Sequence, residues 1–212
     1  MGDYACGKTG DGFMGIVNLA SGGLDSSLVS ILALEQNIPV FPLFIDYGQR
    51  SAEMEWNACC EVHKRINASK PVRMDISGFG KVILSGLTSE SLDIYKEAFT
   101  PCRNLLFLVI GASYAYQLGI DSVSIGLLSE QFSIFPDQRE DFIRKAEDTI
   151  ITALGKNINV VTPLSEFSKA DVIKLAHQKG LNNTYSCHAG GLSPCNKCIS
   201  CLECQDNIKK GE

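Results

Sequence analysis

A glycine-rich turn near the start of the chain, Ser21-Gly22-Gly23-Leu24-Asp25-Ser26-Ser27, joins an apolar run at 16–20 to a helix-like run that continues to residue 35. A buried strand that leads through such a turn into a helix directs backbone N–H groups and the positive end of a helix dipole towards one point. The turn therefore predicts an anion site. Asp25 would cap the helix or bind a metal ion carried by phosphates. An ordinary glycine turn before a helix is the simpler alternative.

From Ile16 onward, short apolar runs alternate with longer amphipathic ones, a pattern typical of βαβ units. We predict a doubly wound α/β fold with a mostly parallel five-stranded sheet. The predicted strands are 16–20, 39–45, 71–75, 121–126 and 158–162, and the predicted helices are 25–37, 51–67, 103–118, 138–154 and 168–180. Residues 77–101 are the least regular middle stretch, and a loop of this length is often a lid or a binding segment.

The chain has 212 residues, and we divide it into an N-terminal arm (1–15, expected to be flexible), a nucleotide-binding domain (16–180) and a cysteine-rich subdomain (181–212). No apolar run approaches the roughly 18 residues that a membrane span needs, and no signal segment opens the chain. We therefore expect a cytoplasmic protein with no membrane partner. The net charge of −5 is evidence against a nucleic-acid partner.

The segment Gly2 to Thr9 matches the G-x4-G-K-[ST] phosphate-loop pattern. That motif functions only between a buried strand and a helix, and here only one residue precedes it and more glycines follow. We interpret the match as chance. The Met-Gly start suggests myristoylation, but Cys6 occupies the position where Ser or Thr is expected. We therefore do not expect this lipid modification.

Polar clusters follow predicted strands or open predicted helices. Ligands of open α/β sheets bind at the carboxyl ends of the strands, so these clusters are expected to line one crevice. Arg103 and Lys169 oppose the dipoles of the helices that they begin, a cost that an anionic ligand would offset. Surface turns and ordinary loop residues are the alternative. The clusters are Asp46-Tyr47-Gly48-Gln49-Arg50, Arg103-Asn104, Phe135-Pro136-Asp137-Gln138-Arg139 and Lys169.

Five of the nine cysteines crowd the C-terminal end among glycines and few apolar residues. Such a stretch cannot fold by burial, and Cys-x2-Cys turns present two thiolates to one tetrahedral ion. We predict a structural Zn²⁺ site in which Cys204 is the surplus thiol and His188 a minor alternative ligand. The leading ligand set is Cys187, Cys195, Cys198 and Cys201.

These motifs, in this order, resemble the QueC family, the 7-cyano-7-deazaguanine synthases of queuosine biosynthesis within the PP-loop ATP pyrophosphatase superfamily. The resemblance spans nearly everything after residue 15. It implies that ATP, with Mg²⁺, adenylates the carboxylate of 7-carboxy-7-deazaguanine, that pyrophosphate leaves, and that ammonia displaces AMP. A second activation then gives the nitrile. It also suggests a homodimer.

The resemblance, together with the residue types, gives each candidate position a role. The candidate catalytic residues are Ser21, Asp25, Ser26, Arg103 and Lys169. ATP contacts are expected from Ser21, Gly22, Gly23, Leu24, Asp25, Ser26, Ser27, Asp46 and Tyr47, and contacts to the acid substrate from Gln49, Arg103, Asn104, Phe135, Asp137 and Arg139.

The chain departs from the family pattern near the expected acid substrate. Cys102 replaces a usual glycine, the segment 131–139 lacks an acid, a glycine and a cysteine, and Cys204 replaces an arginine. This suggests a divergent paralogue. One alternative joins the deazapurine acid to a protein amine, as a QueC-like protein of an antiphage operon. Further alternatives are a tRNA sulfur transferase and a non-catalytic zinc scaffold that senses ATP.

Overall fold

The structure, a computed structural model, describes residues 14–210. Most of the predicted N-terminal arm and the Gly2–Thr9 motif lie outside these residues. The strands are β1 (Ile16–Leu19), β2 (Val40–Asp46), β3 (Val72–Asp75), β4 (Ser122–Ser124) and β5 (Asn159–Val161). The helices are α1 (Leu24–Glu35), α2 (Ala52–Arg65), α3 (Gly78–Val82), α4 (Arg103–Leu118), α5 (Glu140–Leu154), α6 (Lys169–Gln178) and α7 (Ile199–Lys210).

The five strands form one parallel sheet in the order β3-β2-β1-β4-β5. Val17 pairs with Phe41 on one side and with Val123 on the other, so β1 lies at the point where the strand order reverses. The predicted doubly wound parallel sheet is confirmed. Ligands of such sheets bind beyond the carboxyl ends of the strands at this switch point.

Alternating side chains of the strands divide the core between the two faces of the sheet. Val17 and Leu19 pack with Leu108 of α4 and Ile150 of α5 on one face. A second cluster joins α1, α2 and α6. Helices on both faces explain why the strands are almost continuously apolar. Within residues 14–210, no helix combines the length and the apolar character needed to cross a membrane.

Local sequence signals mark both ends of α6. Ser168 Oγ accepts a hydrogen bond from the backbone N–H of Asp171, and the Asp171 carboxylate accepts one from the backbone N–H of Ser168, which is a capping box. Gly180 adopts φ +64° just beyond the end of the helix. Helix α7 was not predicted, because the cysteine spacing hides its periodicity.

The irregular segment before α4 is held in place by its own contacts. Ser85 Oγ lies 2.7 Å from Thr100 Oγ1, and the backbone N–H of Gly86 donates to the carbonyl of Glu97. Leu87 and Ala98 are buried. The segment therefore forms part of a wall of the crevice described below.

Candidate active site

The Ser21–Gly23 turn has the geometry of a tight strand-to-helix loop. Gly22 adopts φ +73°, and a Cβ there would lie 2.4 Å from the backbone oxygen of Glu55 and 2.5 Å from the backbone nitrogen of Cys59. Only glycine fits such a position. Helix α1 begins directly after this turn, and none of the side chains that the structure describes caps its first N–H groups. The turn therefore offers backbone donors to an anion.

The hydroxyl groups of this turn contact one another. Ser21 Oγ and Ser26 Oγ lie 3.1 Å apart, and Ser26 Oγ also accepts a hydrogen bond from the backbone N–H of Ser21. Both side chains line the cavity described below. When a phosphate binds, these hydroxyl groups would give up their hydrogen bonds to each other and donate to the phosphate oxygens instead.

A buried polar network supports the turn from below. Asn18 of β1 donates from Nδ2 to the carbonyl of Ser26 at 2.8 Å and to Ser30 Oγ at 2.7 Å. Ser30 Oγ lies 2.9 Å from His63 Nε2, and His63 Nδ1 lies 2.8 Å from the carbonyl of Cys59. Burial lowers the pKa of His63, so its neutral form is favoured. This network fixes the first turn of α1 against β1 and α2.

A single cavity of about 720 Å³ extends from the turn across the ends of the strands. It brings together most of the polar side chains that the sequence places at the site. The predicted residues that line it are Ser21, Asp25, Ser26, Tyr47, Gln49, Arg103, Asn104, Phe135 and Lys169.

The end of the cavity next to the turn, here called the loop end, holds an ion pair. Lys169 Nζ lies 2.7 Å from Asp25 Oδ1 and 2.9 Å from Oδ2. Burial lowers the pKa of Lys169, but the Asp25 carboxylate outweighs this effect, so its pKa is raised. Glu203 of α7 lines the same end, and burial raises the pKa of its carboxyl group. Lys169 is therefore protonated. If its ammonium group exchanged Asp25 for a phosphate oxygen, it would be available to bind that phosphate.

The opposite end, here called the arginine end, is built around Arg103. Its guanidinium lies 5.8 Å from the ring centroid of Tyr47 and 5.9 Å from that of Phe107, and it donates to Tyr47 Oη at 3.4 Å. Arg103 Nε is buried and has no hydrogen-bond partner among the residues that the structure describes. Burial lowers the pKa of Arg103, but the negative charges of neighbours that include Asp137 and Glu55 raise it without forming an ion pair, so the guanidinium can still bind an anionic ligand.

Glu55 contributes a carboxylate to the arginine end. Its Oε1 accepts a hydrogen bond from Ser51 Oγ at 2.7 Å, and its Oε2 accepts one from Gln49 Nε2 at 2.9 Å. Burial raises the pKa of Glu55, and these two hydrogen bonds partly oppose the rise. Gln49 Oε1 also accepts from the backbone N–H of Tyr47, so Gln49 both lines the cavity and fixes the turn after β2.

Several predicted site residues do not line the cavity in the described chain. Asp46 is buried, with its Oδ2 accepting from Arg73 at 2.6 Å and its Oδ1 accepting from the backbone N–H of Gly48. Ser27 is fully buried, and its hydroxyl lies in the protein interior without a hydrogen-bond partner among the described residues. The predicted ATP contact of the Ser27 hydroxyl does not fit this placement. Gly22 and Gly23 form the turn and Leu24 begins α1, so these three positions offer backbone groups to a ligand.

Asp137 and Arg139 also lie outside the cavity wall. The carbonyl of Asp137 accepts a hydrogen bond from Asn104 Nδ2 at 2.9 Å, which ties the 136–138 turn to α4. Arg139 is exposed at the start of α5. The sequence places both residues at the site because of their order along the chain, but the members of this cluster that line the cavity are Phe135 and Gln138.

His188 lies between the two ends of the cavity. Both the burial of its ring and the positive charges of Arg103 and Lys169 lower its pKa to about 4. Its Nδ1 is buried without a hydrogen-bond partner among the described residues. The side chain faces the cavity rather than the cysteine cluster next to it in sequence.

The predicted metal ligands converge. The sulfur atoms of Cys187, Cys195, Cys198 and Cys201 all lie within 4.8 Å of one another. The Cys195 and Cys201 sulfurs are 4.0 Å apart, close to the ~3.8 Å edge of a tetrahedral zinc–thiolate site. The backbone N–H of Cys198 donates to the sulfur of Cys195 at 3.3 Å, as expected for a thiolate ligand. These four residues could hold a metal ion, and Cys204 lies outside the cluster.

The cysteine subdomain also builds part of the candidate site. The backbone N–H of Tyr185 donates to the carbonyl of Gly22 at 3.0 Å, which links the subdomain to the glycine-rich turn. His188, Ile199, Ser200 and Glu203 line the cavity. The metal cluster would therefore hold one wall of the cavity against the turn.

Two of the departures from the family pattern have visible consequences. Cys102, which replaces a usual glycine, adopts φ +58° immediately before α4, a conformation that costs a non-glycine residue roughly 1 kcal/mol or more. Phe132 and Ile134 of the altered 131–139 segment are 52% and 55% exposed and line the edge of the cavity. The altered segment therefore gives the cavity an apolar rim.

Sequence reasoning did not identify Glu55, Glu203 or the cavity-facing position of His188. Glu55 has the spacing of an ordinary surface residue on an amphipathic helix, and Glu203 belongs to a helix that was not predicted. His188 was considered only as a metal ligand. Asn18 carried a visible signal, since it is a polar residue inside an otherwise apolar strand.

The doubly wound parallel sheet with a glycine-rich turn at its switch point is a fold of the PP-loop type. Among solved structures, the chain is similar to NMN synthetase from Francisella tularensis (TM-score 0.53, 17% identity, 94% of this chain and 78% of that chain). It is also similar to the U34-tRNA thiolase NcsA from Methanococcus maripaludis with its [4Fe-4S] cluster (TM-score 0.54, 15% identity, 95% and 68%). At these identities the similarity concerns the fold.

The family model for the queuosine biosynthesis protein QueC matches residues 15–210. The 7-cyano-7-deazaguanine synthase of Prochlorococcus marinus (strain MIT 9515) is 35% identical over 209 residues, covering 92% of this chain and 93% of that protein. The synthase of Campylobacter jejuni subsp. doylei is 32% identical over 198 residues, covering 87% and 88%. The chain belongs to the QueC family.

Proposed function

We propose that this protein adenylates the carboxylate of a deazapurine acid, 7-carboxy-7-deazaguanine, at the expense of ATP and joins the activated acid to a nitrogen nucleophile. The observation that carries the proposal is the cavity-facing Arg103, whose Nε has no partner among the described residues, in the same cavity as the glycine-rich turn and Lys169. Two anions must meet in this reaction, a carboxylate and a triphosphate, so separate cations at the two ends are required.

In this proposal the loop end binds the phosphates and the arginine end binds the carboxylate. The backbone N–H groups of the turn, with Ser21 and Ser26, hold the departing pyrophosphate, and Lys169 exchanges Asp25 for a phosphate oxygen. Magnesium, when bound to the phosphates, supplies further positive charge, and Asp25 is the residue that we assign to it. Arg103 presents a planar fork of donors to the carboxylate and orients it towards the α-phosphate.

The proposed reaction needs no protein nucleophile. A carboxylate oxygen attacks the α-phosphorus, and the bond to the pyrophosphate oxygen breaks. Ammonia then attacks the acyl carbon and AMP leaves, which gives the amide. The amide oxygen then attacks the α-phosphorus of a second ATP and pyrophosphate leaves; loss of both N–H protons and of AMP from this adenylated amide gives the nitrile. We further propose Zn²⁺ as the ion of the four-cysteine cluster, where it would stabilise the wall rather than react, because four thiolates close its coordination shell.

A protein amine as the acceptor is a second version of the same chemistry. The exposed apolar rim formed by Phe132 and Ile134 supports it, because a polypeptide acceptor needs a contact surface outside the cavity whereas ammonia does not. In this version the amine of the protein attacks the acyl adenylate, and the product is a stable amide linkage.

Mass spectrometry of the products tests both versions. The protein is incubated with Mg-ATP, 7-carboxy-7-deazaguanine and either ammonium or candidate proteins encoded next to it. A nitrile together with AMP and pyrophosphate supports the synthase version. A deazaguanine adduct on a protein, or AMP without nitrile, supports the conjugating version. Formation of neither AMP nor pyrophosphate in any mixture would contradict the proposal.

A further inference from the structure

We propose that Glu55 reads a ring edge with two adjacent N–H donors on the acid substrate, and so determines which heterocyclic acid the cavity accepts. The inference rests on the proposed function, because it specifies how the acid is recognised once Arg103 holds its carboxylate. A 2-amino-4-oxo-pyrimidine ring, which 7-carboxy-7-deazaguanine contains, has such an edge.

The geometry of Glu55 leaves acceptor capacity on both carboxylate oxygens. Each oxygen accepts one hydrogen bond from the protein, Oε1 from Ser51 and Oε2 from Gln49. A carboxylate oxygen has two lone pairs, so each retains one direction for a further donor. The side chain lines the cavity, which makes those directions available to a ligand. Two parallel N–H donors on a rigid ring match two such oxygens, in the way that a guanidinium matches a carboxylate.

The charge balance at the arginine end supports the same assignment. The charge of each of Glu55 and Arg103 shifts the pKa of the other, yet these two described residues form no ion pair within 4.0 Å. Glu55 can therefore still accept hydrogen bonds from a ligand, and Arg103 can still bind an anionic group of a ligand. A ligand with a carboxylate and an N–H edge on one rigid ring binds both residues, whereas a simple carboxylic acid binds only one.

The adenine of ATP does not suit this position. Each polar edge of adenine alternates a donor with an acceptor, as N6–H₂ does with N7, so one ring nitrogen would direct its lone pair at the carboxylate. The charged neighbours of Glu55 are Arg103 and Asp46, whereas Lys169 at the loop end interacts with Asp25 and Glu203. The backbone of Glu55 lies against Gly22 of the turn, but its carboxylate accepts hydrogen bonds from Ser51 and Gln49 and interacts with Arg103, so we assign the carboxylate to the part of the cavity that binds the acid.

The experiment compares two acids by calorimetry, with the full chain, Mg²⁺ and a non-hydrolysable ATP analogue present. One acid is 7-carboxy-7-deazaguanine, and the other is its analogue without the exocyclic 2-amino group. We expect the wild-type protein to prefer the first by roughly 10- to 100-fold, since the analogue leaves a charged acceptor without one donor. Glu55→Gln should reduce the preference to below about threefold, with unchanged affinity for the ATP analogue, because its amide offers an unmatched donor.

Glu61→Gln is the matched control, since it removes the same charge from an exposed position on the same helix and should keep the full preference. A purely structural role of Glu55 would lower the affinity for both acids equally. If Glu55→Gln fails to fold, the ratio of the affinities of the wild-type protein for the two acids still tests the inference. Equal binding of the two acids, or a preference that Glu55→Gln retains, overturns the inference.

The proposed function has a separate readout in AMP and pyrophosphate formation from the same acid. If AMP forms but the 2-amino preference is absent, the inference fails and the proposed function stands. If the protein binds neither acid and forms no AMP, both fail.

Discussion

At the loop end of the cavity the charges neutralise one another, with Lys169 2.7 Å from Asp25. At the arginine end Asp137 and Glu55 attract Arg103, but no ion pair within 4.0 Å forms among the described residues, and Arg103 Nε has no hydrogen-bond partner among them. The loop end must therefore exchange internal contacts for a ligand, whereas the arginine end already presents unmet groups. We infer that the groups that select the acid are already in their binding positions before the acid enters. Nucleotide binding, in contrast, requires the side chains of the loop end to rearrange.

The largest expected effect comes from disrupting the four-cysteine cluster, whose subdomain contacts the loop end through the hydrogen bond between Tyr185 and Gly22. Cys198→Ser should abolish metal binding and lower the free energy of unfolding by more than about 3 kcal/mol, since metal binding of this kind is coupled to folding. Metal analysis and thermal unfolding measure both effects. Cys204→Ser is the control and should retain the metal. A metal-free Cys198→Ser protein of wild-type stability would refute the structural role.

The second test concerns the hydroxyl groups at the loop end. Ser26→Ala should reduce pyrophosphate release by roughly 10²- to 10³-fold, the usual loss for one donor to a developing anion, and leave the fold intact. Ser27→Ala should change activity by less than about twofold, because that hydroxyl lies in the interior. Steady-state kinetics and circular dichroism provide the comparison. Equal losses in the two variants would mean that Ser27 reaches the phosphates after a rearrangement.

The third test separates the two cations. Arg103→Gln should raise KM for the acid roughly 100-fold and leave KM for ATP within about threefold, because a buried cation loses its anion partner. Lys169→Gln should act mainly on KM for ATP. Arg103→Lys should restore little, since an ammonium cannot reproduce the planar fork. If Arg103→Gln altered both constants equally, the division of the cavity into two ends would be wrong.

The smallest expected effect concerns the network beneath the glycine-rich turn. Burial lowers the pKa of His63 in the folded protein, so the unfolded chain binds more protons below its pKa of about 6.5. The contribution of His63 to stability is therefore complete above about pH 6.5 and is lost as the pH falls below it, by at most ~1.4 kcal/mol per pH unit.

Urea unfolding between pH 7.5 and pH 5 measures this dependence. His63→Gln should reduce the slope but not abolish it, because His188, whose pKa is lowered to about 4, loses stability over the same range. The exposed His177→Gln is the matched control that should keep the wild-type slope. A His63→Gln protein with an unchanged pH dependence would show that the histidine titrates normally in the folded state.

Local residue patterns were sufficient to predict the sheet, the principal helices and the four-cysteine cluster. Short apolar runs specify buried parallel strands, and β1 to β5 lie within a residue or two of their predicted bounds. The capping box at Ser168 and the Cys-x2-Cys spacing are local signals in the same sense. The same patterns predict that Ser21 and Ser26 lie at the ligand site, because ligands of a parallel α/β sheet bind where the strand order reverses.

Tertiary structure alone decided which polar side chains reach the cavity. Asp46 and Gln49 lie three residues apart, yet Asp46 pairs with Arg73 while Gln49 lines the cavity beside Glu55. His188 and Glu203 come to the cavity only because the cysteine cluster folds the C-terminal segment against the glycine-rich turn. The physical reason is that backbone patterns fix which elements form, whereas the partner of a charged side chain depends on distances between elements far apart in the chain.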